Sequence, residues 1–198
     1  MTIWTCKGPL AAFGVMLLTA CEGGQGLGAS SGAAKPPLSR AKMAGGVELV
    51  APDGFCIDQT SLEARFAVIA RCDGLGAPAS AGAAPRGLIT VSLTQSKPGS
   101  LPSAQQIAAE TSLQNVRDVE KGDQSVTFRA QGRIPVGGLS PNQWRGVARM
   151  GTQTAGIAVY GPERGEIVSP SGRRVLTQLI TRSIDASAPA KTTVAQRN

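Results

Sequence analysis

The 198-residue sequence contains no histidine, and that absence alone removes much enzyme and metal chemistry. A serine or cysteine nucleophile has no imidazole to activate it. Zinc loses its usual nitrogen ligand, and no Cys-x-x-Cys-His sequence exists to attach haem. Aromatic residues are scarce, at 4% of the chain. Beyond residue 21 only Phe55, Phe66, Phe128, Trp144 and Tyr160 remain. A core must therefore rest mainly on Val, Ile and Leu, each contributing about 1.5–3 kcal/mol when buried. Long apolar runs are missing too: residues 9–20 fall well short of the roughly 20 residues that a spanning helix needs.

What is present begins with that short run. Its length suits the hydrophobic region of a secretory signal, with Lys7 as the preceding positive charge. It ends in Leu18-Thr19-Ala20-Cys21, which resembles the lipobox of bacterial lipoprotein signals. The resemblance covers residues 1–21. It implies cleavage before Cys21, a diacylglycerol on the Cys21 sulfur, and membrane residence made stable by more than one acyl chain. The expected location is the bacterial cell envelope, facing the periplasm. Glu22, in place of an aspartate after the cleavage site, leans toward the outer membrane.

With Cys6 removed and Cys21 acylated, Cys56 and Cys72 are the remaining thiols. An exported chain meets an oxidising compartment, so these two are expected to pair as a disulfide. No metal and no cofactor is expected, because two cysteines without another soft ligand do not make a zinc site.

The net charge is +7, and its placement says more than its total. Residues 129–182 hold eight arginines, no lysine, and only Glu163 and Glu166 as acids. Such a half presents a positive surface suited to anionic head groups, cell-wall carboxylates or an acidic protein. Nucleic acid is not an expected partner in the envelope.

Along the chain, residues 21–46 are rich in Gly, Ala, Ser and Pro and read as a tether. Residues 186–198 read as a second tail, and 74–87 as a surface loop. Between them lies one domain, residues 47–185. Strands are expected at 47–50, at 55–57 after the Pro52-Asp53-Gly54 turn, and at 66–70. Ile89, Val91 and Leu93 alternate with Thr90, Ser92 and Thr94, a strand pattern. Ser103 and Gln106 stand at capping-box spacing, predicting a helix from Pro102 to about Asn115. Three more strands are expected around Val126 and Phe128, Trp144 to Ala148, and Ile157 and Val159. Ser169-Pro170 opens a final helix whose stripe is Val175, Leu176, Leu179, Ile180 and Ile184.

This order predicts an α+β fold, an antiparallel sheet covered by helices. The pieces Ala51-Pro52-Asp53-Gly54-Phe55, Leu88 to Thr94 with the Ser103 helix, the pair around Trp144 and Gly156, and the Arg173–Ile184 helix resemble the PsbP-like family of secreted and lipid-anchored α/β modules. The resemblance covers about residues 47–185. It implies accessory and scaffold work on a larger assembly, with no shared catalytic residues.

Three constellations suggest chemistry. Gly28-Ala29-Ser30-Ser31-Gly32 has the nucleophile-elbow spacing, but that elbow needs a flanking strand, a helix and a histidine. A lysine base would have to come from Lys97 or Lys121, both beside turn glycines. The acids Asp53, Asp58 and Asp73, and Asp118, Glu120 and Asp123, lack the alternating spacing of a calcium loop. The third is Trp144 with Arg145 and Arg149. Tryptophan and arginine are the residues that anchor interfaces, and strand alternation puts the two arginines opposite Trp144. Trp144, Arg145, Arg149, Arg173 and Arg174 are thus the candidate partner-binding residues. The expected function is a lipid-anchored, non-enzymatic adaptor or accessory subunit of an envelope complex. The alternative is a binding module for an anionic small molecule, lipid head group or glycan.

Overall fold

The computed structural model describes residues 35–78 and 84–188. The signal, Cys21, the 28–32 sequence and the last ten residues lie outside them. The strands in chain order are β1 (Arg40–Lys42), β2 (Glu48–Val50), β3 (Phe55–Ile57), β4 (Phe66–Arg71) and β5 (Leu88–Gln95). Helix α1 (Ala104–Glu110) follows, then β6 (Gln114–Lys121), β7 (Ser125–Gln131), β8 (Asn142–Met150), β9 (Gln153–Tyr160) and helix α2 (Ser171–Ser187). Seven strands form one antiparallel sheet in the order β3-β4-β5-β9-β8-β7-β6. The expected α+β class, an antiparallel sheet with helices, is what the chain forms. No helix among the described residues is long and apolar enough to cross a membrane.

The register gives the sheet two unlike faces. One row runs Ile57, Ile69, Ile89, Val159, Trp144 across five strands, and the next runs Ala67, Val91, Ile157, Gly146. All of these except Gly146 belong to the main apolar cluster, together with Leu176, Leu179 and Ile180 of α2 and Leu49 of β2. Gly146 is where the helix seats: a Cβ there would meet Leu176 Cδ1 at 3.0 Å and Ile180 Cδ1 at 3.2 Å. Trp144 is only 1% exposed, and its indole N–H donates to the Ser169 carbonyl at 2.8 Å. We call this the inner face.

Part of the expected tether is structured: Leu38 bridges to Ile57, and β1 pairs with β2. Ala41 and Met43 are buried while Arg40 and Lys42 face out, so a half-buried strand stands where composition predicts a linker. Backbone N–H groups of Val50 and Glu48 donate to the hydroxyls of Ser183 and Ser187, at 3.0 and 2.9 Å, fastening this hairpin to α2. The same contact carries α2 to Ser187, past the expected end of the domain.

Helix α1 has the predicted capping box. Ser103 Oγ accepts from the Gln106 N–H, and the Gln106 side chain accepts from the Ser103 N–H. It stops at Glu110, not near Asn115, because β6 begins at Gln114. At the other helix, Ser169 Oγ accepts from the Ser171 N–H at 3.2 Å and Pro170 has helical angles. Cys56 and Cys72 are joined by a disulfide, as expected, clasping β3 to the end of β4.

Candidate functional site

The outer face is built from the alternate residues. One row runs Val68, Thr90, Ala158, Arg145, Phe128, and the next runs Phe66, Ser92, Gly156, Val147, Val126. The chain leaves β5 in the middle of the sheet and re-enters at the far edge as β6, so the connecting α1 crosses only one end of this face. It covers Val126, Phe128 and Ala130 of β7 with Ala104, Ile107, Ala108 and Leu113. Over β5 and β9 no described element lies on the sheet, and Phe66, Val68, Leu88 and Thr90 remain half-exposed.

A groove of about 350 Å³ runs where α1 stops. Its floor carries the hydroxyls of Thr90, Ser92, Thr94 and Thr154; Ile107 and Val147 form its apolar wall. Arg145 is the only cation among its lining residues and Glu110, exposed on α1, the only acid. Beyond Thr94 and Thr154 the groove continues into a second hollow lined by Lys97 and Arg149. The floor hydroxyls are partly engaged: Ser92 Oγ and Thr94 Oγ1 each donate at 3.3 Å to the carbonyls of Gly156 and Thr154.

Arg145 is the distinctive member. Its guanidinium carbon sits 5.5 Å from the centre of the Tyr160 ring, a cation–π distance. Its Nε is buried without an acceptor, and no described carboxylate stands within ion-pair distance. Burial lowers its pKa from the ordinary arginine value, with Tyr160 acting in the opposite direction. A guanidinium stays protonated even so, which leaves a desolvated charge without a counter-ion.

The other candidate residues go elsewhere. Trp144 is core, and its proposed use as a surface anchor is corrected by its enclosure under α2 and by the Arg129 guanidinium 5.7 Å from its ring. Arg149 donates to the Gly99 carbonyl and fixes the loop before α1. Arg173 pairs with Glu120 at 2.9 Å, and Arg174 reaches only Ser171 Oγ, at 3.3 Å. These last two line an open hollow that also holds Glu120 and Glu166, so its charge is mixed. Three of the eight arginines in the positive half pair with carboxylates: Arg129 with Asp118, Arg173 with Glu120 and Arg182 with Asp53. Arg145 and Arg149 do share a face with Val147, as alternation requires, but Arg145 lines the groove and Arg149 the adjoining hollow.

The acidic residues are spread in the same way. Asp53 takes both Arg182 and Gln178, Asp73 takes Arg71, and Asp58 holds the Thr60 hydroxyl and N–H. Sequence reasoning missed Thr90, Thr154 and Glu110 as groove residues and Tyr160 as the ring beside Arg145. The alternation of Thr90, Ser92 and Thr94 was the available signal, because a hydroxyl-bearing face opposite an aliphatic one marks a surface that no helix covers. No protein-family model, no curated protein and no solved structure matches this chain.

Proposed function

We propose that the chain is a lipid-anchored module of the bacterial envelope, held at Cys21, that works by binding as a non-enzymatic accessory or adaptor subunit. The anchor reading rests on Leu18-Thr19-Ala20-Cys21 after the short apolar run. The order of strands, crossover helix, antiparallel strands and closing helix supports placing the domain among PsbP-like modules. The observation that carries the binding role is the open half of the outer face. An α+β domain with one face closed by a helix and hairpin has left the other half-covered, with a groove at the boundary. Exposed sheet surface of this kind, lined by aliphatic and hydroxyl side chains, is where a partner or ligand gains most from burial.

The uncompensated charge of Arg145 favours the second form of this reading, a module for an anionic ligand, over a purely apolar docking surface. The deciding experiment is intact-mass analysis and companion identification on protein gently extracted from its native membrane. Lipid mass on Cys21 with a stoichiometric companion protein supports the adaptor form. An acylated monomer carrying a small-molecule adduct supports the ligand form. An unlipidated, soluble chain overturns the anchor.

A further inference from the structure

Resting on the reading that the groove is the binding surface, we infer that it is a site for a small molecule carrying one carboxylate on a largely uncharged body, with Arg145 as the residue that recognises the carboxylate.

Three observations lead there. The first is the unmet demand of Arg145. Buried cations are ordinarily paired or neutralised, because desolvating an ion costs several kcal/mol unless an opposite charge compensates. Here the Tyr160 ring covers one side of the guanidinium, Nε has no acceptor, and no described acid is in reach. An arginine fork matches a carboxylate in geometry, offering two parallel N–H donors. Arginines elsewhere in the same chain already do this, as Arg182 does with both oxygens of Asp53. Arg145 is the arginine that lines this groove, and it has no such partner.

The second observation is the volume. About 350 Å³ lies at the small end of the roughly 300–1,000 Å³ range of ligand sites. It suits a small organic acid and leaves no room inside for a folded segment.

The third is the distribution of charge around Arg145. Inside the groove one cation stands alone among hydroxyls and aliphatics. Glu110 is on the α1 side of the mouth, and Lys97 and Arg149 lie beyond Thr94 and Thr154, with Arg149 already donating to Gly99. The mouth is therefore of mixed sign and supplies no second positive focus for a dianion. One negative charge is neutralised inside, and the body of the ligand meets Ile107, Val147 and Thr90.

The test uses the full chain in a mild non-ionic detergent. Hexanoate and benzoate are the probes, with hexanamide and benzamide as uncharged counterparts and inorganic phosphate as a multiply charged one. Side-chain Nε–H resonances of the arginines report where each probe goes, and calorimetry reports affinity. The expected result is that the carboxylates shift Arg145 Nε–H selectively and bind at least about tenfold more tightly than their amides or phosphate, the scale of a charge-assisted fork. Arg145→Met should abolish that preference. Ser92→Trp, at an exposed floor position, should block the probes while leaving Arg145 and the fold in place. Carboxylate binding that both variants retain overturns the site. Absence of any carboxylate binding overturns the ligand class, and if a companion protein is then released by Ser92→Trp, the groove stands as the adaptor's docking surface without it.

Discussion

The two faces of one sheet have opposite fates. On the inner face β3, β4, β5, β9 and β8 contribute aliphatic or aromatic side chains to a continuous row, and α2 with the β1–β2 hairpin closes over it. On the outer face a helix of seven residues covers only the β7 end, and the rest mixes threonine, serine and glycine with half-exposed Phe66, Val68 and Leu88. The inner face carries the larger apolar cluster, while the outer face carries a smaller one under α1 and stays open elsewhere. The lesson lies in the crossover. Because α1 must carry the chain from mid-sheet to the far edge, it lies against β6 and β7 and cannot also cover β5 and β9.

The widest separation between the faces is expected from truncations at their centres. Trp144→Ala removes the largest buried ring together with its hydrogen bond to Ser169 and should cost about 3–5 kcal/mol, read as a fall in the urea midpoint. Arg145→Met, one residue along and facing the other way, should leave the midpoint unchanged or raise it, since replacing a buried unpaired charge by an apolar chain relieves desolvation. Equal losses from the two variants would break the distinction between a structural and a functional face. The disulfide belongs to the stability side. Its cysteines are separated by 16 positions, a loop whose closure is worth about 3 kcal/mol. Replacing both cysteines by alanine should lower the thermal midpoint accordingly, without changing ligand binding in the groove.

The inner face was legible in the sequence because strict alternation survives there. Ile89, Val91 and Leu93, Trp144 to Ala148, and the α2 stripe each announce their element and its buried side. β6 was not legible. Its apolar residues, Val116 and Val119, are three apart, since register shifts break the ladder twice and Asn115 and Asp118 take left-handed angles, at φ 53° and 52°. A bulged, charged edge strand is well protected against pairing with another chain, and the same features erase its period. β1 was hidden by composition: a three-residue strand in a Gly/Ala/Ser/Pro setting gives too short a pattern to see. The groove escaped for a third reason. Arg145, Thr90, Thr154 and Glu110 come from four separate elements, and only the order of strands brings them together. The arginine's orientation was readable, but the absence of an acid facing it was not.

A smaller effect sharpens the comparison at the boundary between covered and open sheet. Ser103→Ala removes the hydroxyl that caps α1 and should cost about 1 kcal/mol. Because α1 forms one wall of the groove through Ile107 and Glu110, the loss should be local. Hydrogen exchange of α1 amides is expected to quicken while the amides of α2 keep their protection. Matched acceleration in both helices would mean that the two faces unfold as one.

The smallest expected effect tests the fastening of α2 from its exposed side. Arg182 donates to both carboxylate oxygens of Asp53, at 2.8 and 3.0 Å, and Gln178 donates to one of them at 2.6 Å. The Arg182 hydrogen bonds, followed by that of Gln178, hold the Asp53 pKa below its ordinary 3.8. A carboxyl whose pKa is lower in the folded chain stabilises it at pH values above the unfolded pKa. That contribution fades as pH falls through the unfolded value toward the folded one. Asp53→Asn should therefore lower the urea midpoint slightly at pH 7 and make no difference near pH 2. The cost at neutral pH is small because the pair is solvent-screened. A penalty of equal size at both pH values would assign the contact to the shape of the 51–54 turn, whose Asp53 N–H also donates to Gln178, and not to its charge.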